Sequence, residues 1–235
     1  MKKLLPLLIF LFCKVSFSEQ SPIPKNFVSL ADIIPDIVID MRYYNNNNFV
    51  GKPIDGYEAN KCLLQEEVAF ALKRVQEALK KQSYGLKVYD CYRPQSAVDH
   101  FMTWVQIPED SQNKKQYYPR EEKSQLVERG YIARRSGHSR GNTVDLTLIR
   151  RFSETSNTAS VSMNTKSIDM GTSYDYFDVL SHTNSPEITL QQRKNRLRLK
   201  HIMEAHGFRN YSYEWWHYSY SHKNKEKTYH NFPVR

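Results

Sequence analysis

Two short stretches of this 235-residue chain carry side chains that suit catalysis on a metal ion. The first contains His138 and Asp145, and the second contains Glu214 and His217. A catalytic zinc site takes three protein ligands from residues of these types and keeps a fourth position for water, which a nearby carboxylate can deprotonate. A single histidine or aspartate is usually structural, but the four together indicate a site. We therefore predict that His138, Asp145 and His217 bind one zinc ion per chain and that Glu214 is the base.

This prediction places geometric demands on the chain. His138 lies in a loop-like sequence, and Gly141 can provide the bend that leads to Asp145. The stretch 142–148 alternates aliphatic and polar residues, which predicts a strand with Asp145 opposite the aliphatic face. Glu214 and His217 would point to opposite faces of a regular strand. A bulge or turn at the two intervening tryptophans is therefore required if both serve one metal.

The remaining pattern mixes helices and strands without regular βαβ spacing. It predicts a single-domain α+β fold with a largely antiparallel central sheet, flanking helices and the zinc site at the sheet. Apolar periodicity and end signals predict the positions of the elements. The expected helices are 61–82 with Asn60 as N-cap, one begun by Pro94 that buries residues up to Val105, 120–128, and 186–206 with buried Leu190 and a stop at Gly207; the expected strands are 86–91, 142–148 and two around 211–220.

The N-terminus has the features of a secretory signal peptide. Two lysines precede an apolar run over 4–13, and small residues lead up to Ser18. The run is too short to serve as a membrane anchor, which needs about 20 residues. We predict a signal peptide at 1–18, a catalytic domain at 19–235 and an exported protein, periplasmic or secreted, without a membrane anchor. The formal charge of +9 is spread among acidic residues, so no nucleic-acid partner is expected.

Two cysteines, Cys62 and Cys91, remain after removal of the predicted signal peptide. An even number of cysteines in an oxidising compartment is compatible with a disulfide. Two buried free thiols are equally compatible, because sequence separation does not give the distance between the two Cβ atoms.

Further motifs accompany the four candidate zinc-site residues. They are Asp90-Cys91-Tyr92-Arg93-Pro94, the stretch from Met170 to Asp175, the asparagine-rich 46–51 and the closing Phe232-Pro233-Val234. In this order they closely resemble the zinc D-alanyl-D-alanine dipeptidases, which belong to a wider group of zinc D,D-peptidases. The resemblance extends from about Val38 to the C-terminus, and therefore covers most of the predicted catalytic domain.

The resemblance implies a role for each matching position. The zinc ligands and the base are the residues already proposed, and the substrate is a small dipeptide. A fixed guanidinium beside the metal stabilises the oxyanion of the transition state, and loss of such a donor typically costs about 3 kcal/mol. By resemblance, Arg93 is this oxyanion partner, Ser136 contacts the substrate, and Asp175 and Tyr43 hold its free ammonium.

These features predict zinc-dependent hydrolysis of D-Ala-D-Ala for recycling or scavenging of cell-wall dipeptides. One alternative is a peptidoglycan D,D-carboxypeptidase or endopeptidase, which shares the metal site but acts on longer stem peptides. A second is a binding module that keeps zinc without catalysis. The presence of both Glu214 and Arg93 disfavours that module. The sequence does not indicate the oligomeric state.

Overall fold

The computed structural model describes residues 22–109, 111–151, 166–221 and 227–235. The predicted signal peptide lies outside these residues. The chain forms helices and strands in the order β1 (Phe27–Ser29), α1 (Leu30–Ile33), β2 (Val38–Ile39), β3 (Leu63–Gln65), α2 (Glu66–Lys80), β4 (Tyr84–Asp90), α3 (Gln95–Gln106), α4 (Ser111–Tyr117), β5 (Thr143–Arg150), β6 (Lys166–Ser167), α5 (Leu190–Glu204), β7 (Phe208–Asn210) and β8 (His217–Tyr220).

A six-stranded sheet forms the centre of the fold, in the order β2-β4-β5-β8-β7, with β6 pairing beside β5. Only β2 and β4 run parallel among these pairs, and β1 and β3 form a separate antiparallel pair. Helix α2 packs on β4, α5 packs on β7, and the two helices contact each other. The α+β class and the mainly antiparallel sheet predicted from the sequence are confirmed.

Strand β5 is the central element and carries Asp145. It is buried along Thr143–Ile149, so the polar face that holds Asp145 is covered as well as the aliphatic face. Buried polar groups are costly unless they are paired, so the residues on this face need partners from neighbouring strands. Those partners come from β4 and β8, which flank β5 on either side.

Several predicted elements differ in extent. The helix expected at 61–82 begins only at Glu66, because residues 63–65 pair with β1, so Asn60 is not its cap. The prediction of a helix at 120–128 is wrong. That segment forms irregular turns and one 3₁₀ turn, Lys123–Gln125. Pro94 is the N-cap of α3 instead of its first residue.

Helix α5 begins four residues later than the expected start at Pro186. Thr189 caps it, and a reciprocal bond with Gln192 completes a capping box that defines the first turn. Leu190 is 69% exposed, so the prediction that it is buried is wrong. The predicted stop at Gly207 is confirmed: this residue has φ +92°, and a Cβ there would lie 2.9 Å from the Tyr220 ring.

The sulfur atoms of Cys62 and Cys91 lie at bonding distance, and their Cα atoms are 5.3 Å apart. The pair therefore forms a disulfide in this structure, between the segment before β3 and the end of β4. Among the described residues, no helix combines the length and apolar character needed to cross a bilayer.

Candidate active site

His138 lies in a short 3₁₀ turn, Gly137–Arg140, that leads into β5. Ser136 caps the turn, since its Oγ accepts a hydrogen bond from the His138 amide at 3.3 Å. Gly141 follows in the left-handed region with φ +72°, and a side chain there would clash with Phe27. The turn buries His138 completely, and its Nδ1 lies 2.6 Å from the Cys91 carbonyl oxygen. Donation from Nδ1 to that carbonyl leaves the lone pair of Nε2 free for a metal.

Strand register brings Asp145 and His217 together. The two residues are direct partners on the antiparallel strands β5 and β8. The Asp145 Oδ1 atom lies 3.1 Å from His217 Nδ1 and 3.3 Å from His138 Nε2, and the two ring nitrogens are 3.4 Å apart. These three candidate metal-ligand atoms, one from a turn and two from strands, form a nearly equilateral triangle, the donor triangle.

The triangle fits a zinc ion. Bonds of about 2.0–2.1 Å in tetrahedral geometry place neighbouring ligand atoms about 3.3 Å apart. The Oδ1 atom of Asp145 is also buried without a hydrogen-bond partner, as expected of an atom that a metal would satisfy. Among the described residues, this trio is the group of histidines and acids that is close enough to hold a metal ion.

The protonation states also suit metal binding. Burial acts to raise the pKa of Asp145, but His138 and His217 outweigh it and hold that pKa below its usual range. Burial lowers the pKa of His217, although Asp145 opposes the shift. To bind a metal ion, the aspartate must be ionised and the histidines neutral, so both pKa shifts favour the forms that bind.

Glu214 lies in the turn between β7 and β8. The chain turns at Trp215 and Trp216, and the His217 amide donates to the Glu214 carbonyl at 3.3 Å. The departure from a regular strand that the sequence required is therefore present. It brings Glu214 Oε2 to within 3.4 Å of His217 Nδ1, beside the donor triangle. Burial, followed by the charge of Asp145, raises the pKa of Glu214 well above its ordinary value.

Arg93 follows β4 and its side chain is largely buried. Its Nε and Nη2 atoms contact Asp90 Oδ2 at 2.9 and 2.8 Å, and Nη2 lies 3.6 Å from Asp145 Oδ2. The guanidinium also stacks over the rings of Tyr43 and Phe101. Burial acts to lower the pKa of Arg93, but Asp90 outweighs it and the pKa rises. Arg93 is thus a rigid cation at the edge of the donor triangle.

Asp90 is a member of the site that sequence reasoning did not single out. It holds Arg93, lies 3.4 Å from His138 Nδ1 and accepts a bond from the Tyr57 hydroxyl at 2.6 Å. A bulge between Val88 and Asp90 sets its register opposite Asp145. Its place within the motif that carries Arg93 was the only sequence signal.

Asp175 lies in an irregular segment before α5 and is buried. Its backbone has φ +59°, in the left-handed region that non-glycine residues seldom adopt. The Tyr43 hydroxyl donates to its Oδ2 at 2.9 Å. Burial, followed by the charge of Asp145, raises the pKa of Asp175 well above its usual range. A cationic partner would offset both the burial of this carboxylate and its repulsion by Asp145.

Tyr174 links Asp145 to Asp175 through the Tyr43 hydroxyl. Like Asp90, it was not singled out by sequence reasoning. Its hydroxyl lies 3.0 Å from Asp145 Oδ2 and 3.1 Å from the Tyr43 hydroxyl. The ring stacks on Tyr89 and meets Trp216 edge-on. With sixteen tyrosines in the chain, composition could not distinguish it.

Most of these groups line one cavity of about 270 Å³. Its lining includes Tyr43, Arg93, Ser136, Asp145, Asp175, Glu214 and His217, with apolar walls from Phe49, Phe101, Ile132 and Phe177. The structure therefore brings the predicted site residues together, with His138 buried directly behind the lining. The cavity offers a cation, several carboxylates and a candidate metal position in a small volume.

Comparison with known proteins identifies the family of this chain. The profile of the D-Ala-D-Ala dipeptidase family, within the M15 peptidases, matches residues 24–235. The chain belongs to this family. It is accordingly a peptidase, and the resemblance drawn from its motifs is confirmed.

Several family members are close relatives in sequence. A D-alanyl-D-alanine dipeptidase of Enterococcus faecalis is 39% identical over 210 residues, which cover 89% of this chain and 98% of that protein. One of Streptomyces coelicolor is 39% identical over 209 residues, with the same coverage of both chains. A solved structure of a mutant VanY, a vancomycin resistance D,D-pentapeptidase in complex with Zn(II), is 16% identical, covers 70% of this chain and 76% of that chain, and has a TM-score of 0.38.

Proposed function

We propose that this protein is a zinc dipeptidase that hydrolyses free D-Ala-D-Ala. One observation carries the proposal: a metal-ligand triangle, a buried base and a second buried carboxylate lie around a single small cavity. The triangle and Glu214 suit amide hydrolysis, and Asp175 suits a free ammonium group. Membership of the dipeptidase family supports the same substrate.

His138, Asp145 and His217 would hold the zinc ion. A bound Zn²⁺ polarises the scissile carbonyl and acidifies water at its open position. Glu214 takes the proton of the attacking water and delivers it to the leaving amine. A base is most effective when its pKa approaches the working pH, and the burial that raises the pKa of Glu214 acts in this direction.

Arg93 would stabilise the negative charge that develops on the carbonyl oxygen. Because Asp90 holds its Nε and Nη2 atoms, the guanidinium is already oriented before substrate arrives. Preorganised donors of this kind stabilise the transition state more than the bound substrate, since they need no reorganisation during reaction.

Asp175 and Tyr43 would bind the substrate ammonium, and Ser136 would contact the substrate near the His138 turn. A buried carboxylate with a raised pKa gains most from a cation that neutralises it. The cavity volume of about 270 Å³ lies just below the range of roughly 300–1,000 Å³ found for drug-sized ligands, and so suits a dipeptide. Longer stem peptides lack the free ammonium at this position.

Export is part of the proposal. The sequence of residues 1–18 supports it, and so does the disulfide between Cys62 and Cys91, since such bonds persist mainly in oxidising compartments. An exported dipeptidase meets dipeptides released from the cell wall, so its role would be recycling or scavenging of D-alanine. Fractionation of cells that express the chain with and without residues 1–18 tests this step.

A substrate comparison tests the activity. The purified chain from residue 19, loaded with zinc, is given free D-Ala-D-Ala or a stem pentapeptide that ends in D-Ala-D-Ala, and released D-alanine is measured. We expect a clear preference for the free dipeptide, loss of activity on chelation and recovery on addition of zinc. A preference for the pentapeptide would favour the carboxypeptidase alternative, whereas zinc binding without hydrolysis of either substrate would favour the binding module.

A further inference from the structure

The segment that carries Asp175, residues 170–182, has little regular structure. It contains only the 3₁₀ turn Val179–Ser181 and the strained backbone of Asp175 at φ +59°. A residue held in such a conformation costs about 1–3 kcal/mol and persists only when its surroundings impose it. Bonds within the segment, such as those of Ser181 with Thr172 and Tyr176, and contacts from outside it must therefore hold it in shape.

Arg196 of α5 contacts both ends of this segment. Its Nε donates to the Met170 carbonyl at 2.6 Å, and its Nη1 donates to the carbonyls of Leu180 and His182 at 2.8 and 2.7 Å. Asp175 lies midway between Met170 and Leu180. One guanidinium thus closes the base of the loop that presents Asp175 to the cavity.

Arg196 is unusual among the charged residues of α5 because it is buried, whereas the others are exposed or partly exposed. The side chain is completely buried, and burial lowers its pKa to about 10, so it stays charged at neutral pH. A buried charge is expensive unless its polar atoms are paired; Nε and Nη1 of Arg196 have carbonyl partners, whereas Nη2 has none among the described residues. The planar fork of arginine can reach carbonyls in two directions, which the single ammonium of lysine cannot do in the same way.

Neighbouring residues of α5 support the same end of the segment. Asn195 donates to the Asp169 carbonyl at 2.7 Å, and Gln192 donates to the Asp169 carboxylate at 2.9 Å. Asp169 in turn accepts a bond from the Gly171 amide at 2.9 Å. The helix therefore contacts the segment at its start through several side chains, and Arg196 connects that start to the other end. The hydroxyl bond between Thr172 and Ser181, and Trp215, which contacts both of these residues, provide further links.

The metal ligands have separate supports. Asp145 and His217 are fixed by the pairing of β5 with β8, and His138 by the Cys91 carbonyl. The Glu214 turn contacts the segment through Trp215, but the turn is also held by Asn210, which donates to the Glu214 carbonyl at 3.0 Å. Disturbing Arg196 should therefore displace Asp175 more than the metal site.

We propose that Arg196 is a positioning residue that sets the location of Asp175 and thereby the affinity of the cavity for the free ammonium of the substrate. This inference rests on the proposed function, because it assigns that ammonium to Asp175. Arg196 itself does not touch the substrate. Its effect is expected in recognition of the substrate amine, with metal binding unchanged.

The test compares two ligands that differ only in the amine. D-Ala-D-Ala is measured by its KM, and propionyl-D-alanine, which lacks the amine, is measured as a competitive inhibitor. Displacing Asp175 by about 1 Å should cost roughly 10- to 100-fold in KM for the dipeptide. In Arg196→Lys we expect that rise with normal zinc content, whereas inhibition by propionyl-D-alanine changes little.

Controls separate positioning from general damage. Arg198→Met alters an exposed arginine of the same helix, which contacts Gln82 and Tyr84 and not the segment, and should leave both ligands unaffected. Asn195→Ala is a milder variant that should shift the ratio of the two ligands in the same direction by a smaller factor. In a chain that already carries Asp175→Asn, Arg196→Lys should add nothing to the loss of amine recognition.

Two results would overturn the inference. An unchanged ratio in both Arg196→Lys and Asn195→Ala, or an equal loss for both ligands, would assign Arg196 a purely structural role. If the wild-type protein neither binds nor hydrolyses the dipeptide, the proposed function itself fails, and this outcome is visible before any variant is made.

Discussion

The metal region and the ammonium region of the cavity are constructed in different ways. His138, Asp145 and His217 are fixed by adjacent strands and one capped turn, so their positions follow from sheet pairing. Asp175 lies on an irregular segment and Tyr43 in a 3₁₀ turn, Arg42–Tyr44, and the two meet through a long-range side-chain bond. Sheet register tolerates little movement because every backbone bond must shift together. The metal ligands thus lie on the part of the fold that strand pairing makes rigid, whereas the groups that select the substrate lie on the part held by side chains.

Substitution of the base tests the metal region most severely. Glu214→Gln keeps the shape of the side chain but removes its ability to take a proton, so kcat should fall roughly 10²- to 10⁴-fold. Zinc content should stay normal, because the three ligands are untouched. Steady-state kinetics and metal analysis measure the two quantities. Glu204→Gln, at the partner of Lys200 on α5, is the matched control, and near-normal turnover in Glu214→Gln would contradict the assigned base.

Arg93→Lys should have the next largest effect. Lysine keeps the positive charge but loses the fork that Asp90 orients, so kcat should fall by about 10²–10³ while KM changes little. The exposed Arg209→Lys serves as control. A loss confined to KM would instead assign Arg93 to substrate binding, and would weaken the division between the two regions.

Asp175→Asn tests the ammonium region. The amide can still accept the bond from Tyr43 but no longer neutralises a cation, so KM for D-Ala-D-Ala should rise roughly 10- to 100-fold with a smaller change in kcat. The comparison with Glu214→Gln is the informative one, since the two variants should separate KM from kcat. Asp32→Asn, at an exposed aspartate, controls for the loss of charge. If kcat alone fell, Asp175 would belong to the chemistry.

Tyr174→Phe should have the smallest effect and lies at the boundary of the regions. Its hydroxyl contacts both Asp145 and Tyr43, while its ring packing on Tyr89 is retained in phenylalanine. Loss of about 1 kcal/mol of hydrogen bonding predicts a change of roughly fivefold in kcat/KM. Steady-state kinetics measure this change, with Tyr44→Phe, at an exposed tyrosine, as the control. A loss as large as that of Glu214→Gln would show that the regions are not independent.

Sequence reasoning performed best where the signal was local. The alternation over 142–148 and the helix after Pro94 correspond to β5 and α3, because apolar periodicity follows directly from burial on one face. The sequence was least informative over 120–128, where a run of charged and polar residues followed by Gly130 resembles a helix with its stop signal but the chain forms turns. Leu190 follows a helical spacing and is nevertheless exposed, because the buried surface of α5 is occupied by Arg196, Leu199 and Met203.

The chemical groups of the site can be read directly from the amino-acid sequence: two imidazoles, two carboxylates and an arginine in recognisable motifs, together with the need for a turn between Glu214 and His217. Which of these groups come into contact depends on the folded chain. The approach of Arg93 to Asp145, the Tyr174 link and the closure of the Asp175 loop by Arg196 join residues through pairing register and long-range contacts. Residue types are encoded locally, whereas distances between them depend on how the whole chain packs.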